Sequence, residues 1–251
     1  MKIKPFSVIS HRHKLRGIIL NPGVTAPAKT VILSHGFASN MLITSPYAKP
    51  FLEAGYVVLM YDFCCSGSGI SNGKSTDMSV LLQRDNLLDV LDYAKTLDIV
   101  DSGRITLCGC SQGGLVSALA AAERESDVQR LILYYPALCI PDDARRGSII
   151  GTKINPENIP EKFLALYIML GKKYVLDARS IDPYEQICRF SKPVFIVHGI
   201  EDKLVNIEYS RKARDFYPDC RLAEIHGDHG FILKGLDASN KVTKEYLMLS
   251  T

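Results

Sequence analysis

Apolar residues fall into two rhythms along this chain. Short continuous runs at Thr30 to Ser34, Tyr56 to Tyr61, Ile105 to Cys108, Leu131 to Tyr135 and Pro193 to His198 are of the kind that a parallel sheet buries on both faces. Between them lie longer stretches with helical spacing: Ser45 to Ala54, Ser79 to Leu97, Gln112 to Glu125, Ile207 to Tyr217 and Ser239 to Leu249. In the second of these, Val80, Leu87, Leu91 and Ala94 form one stripe. Two alternating segments, Lys2 to Ser10 and Lys14 to Leu20, open the chain as an antiparallel pair at a sheet edge, and Arg221 to Ile225 is the last strand. Strands alternating with helices predict an α/β architecture, a mostly parallel central sheet with helices on both faces. From Ala137 to about Ser180 the rhythm breaks around Pro141, Pro156 and Pro160, which predicts an inserted cap of short helices and loops over the carboxyl edge of the sheet. A single domain, residues 1–251, with the cap at about 137–180, is the expected organisation.

Composition narrows the possibilities. A hydrophobic content of 47% and a charged content of 23% are those of a globular protein. The net charge of +3, spread along the chain, does not make a nucleic-acid surface. No apolar run approaches the roughly 18 residues of a membrane span, and the N-terminus lacks the apolar core of a signal peptide. Seven cysteines at irregular spacings do not form a disulfide framework, so a reducing cytoplasm is the expected location. The expected partner is a small molecule, with neither nucleic acid nor membrane involved and a homodimer left open.

The candidate chemistry centres on Gly109-Cys110-Ser111-Gln112-Gly113, between a strand and a helix. This is the Gly-x-Ser-x-Gly nucleophile elbow, in which a sharp turn lifts the serine hydroxyl above the sheet and glycines stand where side chains would clash. A serine hydroxyl needs a base to take its proton and a third group to orient the base. In this fold those follow in the order acid, then histidine. Asp202, in the turn after the Pro193 to His198 strand, is favoured over Glu201 beside it. His229, in a loop flanked by Gly230, is favoured over His226, which lies tight against a strand end. The oxyanion requires two donors, expected to be the backbone N–H groups of Gln112 and of Phe37 in His35-Gly36-Phe37. His35 is expected to bond within its own loop. Cys64 and Cys65 read as packing or loop residues, and Cys108 and Cys110 as buried and non-catalytic. No cofactor or metal is implied, since His226 and His229 lack a third ligand at zinc spacing.

With these residues the chain resembles the α/β-hydrolase superfamily over essentially its whole length. More narrowly it is similar to the bacterial cinnamoyl (feruloyl) esterases, through His35-Gly-Phe37, Gly109-Cys-Ser-Gln-Gly-Gly114, the segment from Tyr135-Pro-Ala137 to Asn155-Pro-Glu-Asn-Ile-Pro160, Asp182-Pro-Tyr184 and Asp228-His-Gly-Phe231. The resemblance implies an acyl pocket shaped by the cap, with Asp143 and Tyr174 at the positions that hold the substrate's phenolic hydroxyl. Two features depart from the family: Ile150 stands where some members carry a glutamine, and the loop Asp62 to Ser71 is longer than usual. The expected activity is that of a serine carboxylesterase acting on aryl or hydroxycinnamate esters. Short-to-medium-chain acylglycerols are the alternative substrates, and a peptidase or acyltransferase of the same fold is a more distant one.

Overall fold

A computed structural model describes residues 1–249. The opening segments pair as β1 (Lys2–Ser10) and β2 (His13–Asn21), in register from Lys2 opposite Asn21 to Ser10 opposite His13. The first buried run becomes β3 (Ala28–Ser34). The expected helix from Ser45 to Ala54 is instead a 3₁₀ turn, Ser45–Ala48, followed by the short α1 (Lys49–Glu53). Pro46 and Pro50 explain the split, because each removes an N–H donor and is tolerated only in a first helical turn. Then come β4 (Val57–Asp62) and α2 (Val80–Lys95), whose N-cap Ser79 accepts the Leu82 N–H through its side chain.

The elbow strand, β5 (Val100–Cys110), starts earlier than the apolar run suggested, so Asp101 to Arg104 continue the strand. It leads into α3 (Gln112–Glu123) and β6 (Arg130–Tyr134). Next are α4 (Ile140–Arg146), the short pair β7 (Ser148–Ile149) and β8 (Thr152–Lys153), the hairpin β9 (Lys162–Ala165) and β10 (Ile168–Gly171), and α5 (Lys172–Arg179). The stretch expected to hold only helices and loops thus contains two small antiparallel pairs. Asp182 caps α6 (Pro183–Ile187), and β11 (Val194–Gly199), α7 (Glu208–Phe216), β12 (Cys220–Ile225) and α8 (Leu236–Leu249) complete the order.

Eight strands form one sheet in the order β1-β2-β4-β3-β5-β6-β11-β12. The pairings of β2 with β1 and with β4 are antiparallel, and those from β4 to β12 are parallel. Successive strand side chains point to opposite faces, so each buried strand supplies two cores. Ile32, Leu59, Leu107 and Leu131 pack under α2 and α3, while Val31, Val58, Cys108 and Ile132 pack under α1 and α8. The chain leaves β3 toward β4 and returns to the other side of β3 as β5. That reversal of strand order opens a crevice beyond the carboxyl ends of β3 and β5, where open α/β sheets place their ligands.

Candidate active site

Ser111 lies where β5 breaks into α3, at φ 53° and ψ −119°, a conformation sparsely populated for a residue with a Cβ. Its surroundings hold it there. The Ser111 N–H donates to Tyr134 O at 3.0 Å, and its carbonyl accepts from Gly114 N at 2.8 Å and Ala137 N at 2.9 Å. The glycine spacing has a direct steric cause: a Cβ on Gly109 would sit 2.1 Å from the Gly113 carbonyl oxygen, and one on Gly113 would sit 2.4 Å from that of His35.

The loop after β11 carries Asp202 and the loop after β12 carries His229. His229 Nδ1 donates to Asp202 Oδ2 at 2.7 Å, which leaves Nε2 to accept the Ser111 hydroxyl at 3.1 Å. The Asp202 carboxylate is inaccessible to solvent. Its Oδ1 accepts the Leu204 and Val205 N–H groups, each at 2.8 Å, and His198 Nε2 lies 3.3 Å from Oδ2. Burial alone would raise this carboxyl. The hydrogen bonds from His198 and His229, the nearby His229 charge and the Val205 N–H outweigh it and hold Asp202 well below the ordinary carboxylate range.

His198 was missed as a partner of Asp202 in the sequence. Its Nδ1 accepts from Ser210 Oγ at 2.7 Å and its Nε2 also reaches Val205 O at 3.1 Å, so the ring is fixed at both nitrogens. Tyr135 was missed too. Its ring meets that of His229 edge to face at 4.8 Å, its hydroxyl donates to Tyr47 at 2.8 Å, and Tyr47 donates to Gly230 O at 2.6 Å. The histidine ring thus packs on Tyr135, and the Tyr135–Tyr47 pair is tied to the backbone of Gly230, the residue that follows His229. Of the competing residues, Glu201 and His226 pair with each other at 3.1 Å, at the surface.

Gln112 opens α3, so its N–H has no acceptor one turn back in the helix. Phe37 borders the same cavity as Ser111 and Gln112. His35 bonds within its own loop through Nδ1, which donates to Gly36 O at 2.8 Å, and also outside it, Nε2 accepting the Phe63 N–H from the loop after β4 at 3.1 Å; burial lowers its pKa. The Gln112 side chain is buried between two partners, donating to Gln83 Oε1 at 2.7 Å and accepting the Tyr174 hydroxyl at 2.6 Å.

A cavity of about 120 Å³ runs from Ser111 beneath the segment between β6 and β11. Ile140, Ile149, Ile150 and Leu166 make its walls apolar, and Asp143 and Tyr174 both border it. Tyr174 is fully buried, with its ring edge to face on Phe37. Desolvation raises the Asp143 pKa, against a hydrogen bond from Cys139. A second cavity, about 400 Å³, also borders Ser111 and His229 and is lined by Phe37, Ile43, Tyr135 and Ile232. Cys108 and Cys110 are buried beneath the elbow, and burial raises both thiols.

A family model described as serine aminopeptidase, S33, matches residues 25–166, more than half of the sequence and a span that includes Phe37 and Ser111. The chain belongs to this family of α/β-hydrolases. Among solved structures, this α/β-hydrolase is similar to Est1E from Butyrivibrio proteoclasticus with ferulic acid bound. The TM-score is 0.91 and the identity 32%, over 97% of this chain and 98% of that one. The uncharacterized protein YqkD of Bacillus subtilis is 26% identical over 223 residues, 87% of this chain and 70% of that protein. An uncharacterized 31.7 kDa protein of Escherichia coli is 32% identical over 97 residues, 38% of this chain, and the match spans only 33% of that relative's length.

Proposed function

We propose that this α/β-hydrolase is a serine carboxylesterase working through an acyl-enzyme. The observation that carries the reading is the continuous line from the Ser111 hydroxyl through both nitrogens of His229 to a buried Asp202 carboxylate, at 3.1 and 2.7 Å. His229 takes the proton as Ser111 Oγ attacks the ester carbonyl and returns it to the departing alcohol. Asp202 keeps the Nδ1–H tautomer and stabilises the imidazolium. The Phe37 and Gln112 N–H groups receive the oxyanion, with Gln112 at the positive end of a helix. Water, activated by His229, then releases the acid. The cavity bordered by Asp143 and Tyr174 takes the acyl part and the second one the alcohol.

For the acyl group we propose a hydroxycinnamate. The likeness to Est1E, whose structure holds ferulic acid, supports this, as do Asp143 and Tyr174, two polar groups set among Ile140, Ile149, Ile150 and Leu166. Tyr174 gives its proton to Gln112, so its oxygen keeps lone pairs for a phenolic O–H, and the Asp143 carboxylate is a second acceptor. The apolar wall around Ile140, Ile149 and Leu166 supports the alternative, an aliphatic acyl chain from an acylglycerol.

Labelling by a fluorophosphonate, abolished in Ser111→Ala, tests the nucleophile. Turnover of methyl ferulate against matched aliphatic esters, monoacylglycerols and aminoacyl anilides tests the class. We expect ferulate to lead, and Asp143→Asn to lower kcat/KM for ferulate by roughly tenfold, one good hydrogen bond to a charged group, while sparing aliphatic esters. Preference for the anilides would overturn the esterase reading. Preference for the acylglycerols would overturn only the acyl group.

A further inference from the structure

The loop Asp62 to Ser71 brings two adjacent thiols to the turn end of the β1–β2 hairpin, where Ser10 faces His13. Cys64 and Cys65 are buried there with His13, and one donor atom from each of the three residues lies within 4.8 Å of the others. Cys65 Sγ is already 3.8 Å from His13 Nε2. In tetrahedral sites with metal–sulfur bonds near 2.3 Å, donors stand roughly 3.5 to 3.8 Å apart, so closing on an ion needs a shift of about 1 Å at the widest pair.

We propose that His13, Cys64 and Cys65 form a binding site for a thiophilic divalent cation of the Zn²⁺ class, outside the catalytic machinery. The donor set argues for the ion. Two thiolates and one neutral imidazole cancel the charge of a divalent cation, which lets it sit buried, and sulfur donors select against Mg²⁺ and Ca²⁺. Binding displaces the two thiol protons to solvent.

The frame is rigid. The Cys64 N–H donates to Asn86 Oδ1 at 3.1 Å, and Asn86 in turn donates to Ser10 Oγ at 2.8 Å. The Cys65 N–H donates to Asn72 O at 3.1 Å, and the Lys14 N–H to Asn72 Oδ1 at 2.7 Å, which ties the loop to the hairpin bearing His13. Room for the donors depends on Gly73, where a Cβ would sit 2.3 Å from Cys65 Sγ and 3.2 Å from His13 Nδ1. A surface cleft bordered by His13, Asn72, Gly73 and Asp77 provides the entry path and the side on which a water completes four-coordination.

The test titrates the reduced full chain with Cd²⁺ alone and follows the thiolate-to-metal charge-transfer absorption. We expect saturation at one ion per chain, loss of the band in Cys65→Ser, binding weaker by roughly tenfold or more in His13→Asn, and no change in Cys188→Ser. The unmutated chain gives a second readout that needs no variant to fold. Cd²⁺ should raise its unfolding temperature by several degrees and protect Cys64 and Cys65 from alkylation under mild denaturant, leaving Cys188 reactive. No saturable band, a band unchanged in Cys65→Ser, or protection mapped to Cys188 or Cys220 would overturn the site.

Discussion

Glu201 and Asp202 follow β11 side by side, and each holds a histidine from the loop after β12. Glu201 takes three donors, His226 at 3.1 Å, Lys234 at 2.7 Å and the Gly227 N–H at 2.6 Å, and these hold it down to about 2, Lys234 contributing most. Asp202 has a comparable set of partners and is also held low. Hydrogen-bond number and carboxylate acidity therefore do not separate them. Their surroundings do: the Asp202 side chain is fully enclosed and that of Glu201 is 33% exposed, while His229 is 20% exposed and His226 83%. In the enclosed pair the histidine's second nitrogen meets Ser111. A carboxylate–histidine pair becomes an orienting device where water cannot compete for either partner, and remains a screened surface contact where it can.

Substitution at the two ends of the buried line should give the largest contrast. Ser111→Ala is expected to lower kcat by about 10⁶-fold, and Asp202→Asn by about 10⁴-fold with KM little changed, because an asparagine favours the wrong imidazole tautomer. Steady-state kinetics on one activated ester measures both. A loss of less than about tenfold in Asp202→Asn would remove the carboxylate from the mechanism.

The same substitution sharpens the comparison through stability. Asp202 in the folded chain titrates below its unfolded value of about 3.9, so between the two the unfolded chain binds more protons and stability falls as the pH drops. The contribution is present in full above about pH 5 and is lost progressively in more acid solution. Denaturant unfolding at a series of pH values should therefore show a shallower acid limb in Asp202→Asn than in the parent, and an unchanged slope would mean that the carboxylate is not held low.

The elbow was readable from residues because its cause is local: glycines two before and two after Ser111 are needed where their Cβ atoms would strike backbone. The order of acid and histidine, and the run-by-run alternation of strands, were readable for a similar reason, since each buried strand announces itself in four to six consecutive residues. What escaped depends on contacts distant in sequence or on elements too short to have a period. β7 to β10 are two to four residues long, below the length at which alternation can be distinguished from chance. The Asp101-Ser-Gly103 stretch reads as a turn, yet it continues β5, with Val100 paired to Ala28 and Ile105 to Thr30 across a register shift. Tyr135 reaches its role by packing on a loop almost a hundred residues away. His198 ends a strand and looks like ordinary core until the turn folds Asp202 back onto it.

That second histidine gives the next step down. His198 touches neither Ser111 nor the cavities beside it, so under the proposed mechanism it is expected to act as a positioning residue, through Asp202. His198→Gln is expected to lower kcat roughly tenfold, with KM unchanged and fluorophosphonate labelling slowed in proportion, because a carboxylate less firmly fixed orients His229 less well. An equal rise in KM would point to a collapsed pocket instead.

The smallest effect is expected at the exposed pair, and it is the measurement on which the comparison turns. Glu201→Gln leaves the Gly227 N–H an acceptor and removes only the charge facing Lys234 and His226; His226→Ala removes a ring that is mostly in water. Each should change kcat/KM by about twofold or less, within the range of exposed ion pairs. The difference should also shrink as salt is added, since screening acts on exposed charges far more than on enclosed ones, whereas the Asp202→Asn deficit should not respond to salt. If Glu201→Gln instead cost a hundredfold, the turn after β11 would be acting as one unit. Burial would then not be what distinguishes the two carboxylates, and the Glu201 bond to Gly227, two residues before His229, would have to be counted among the contacts that aim the His229 ring.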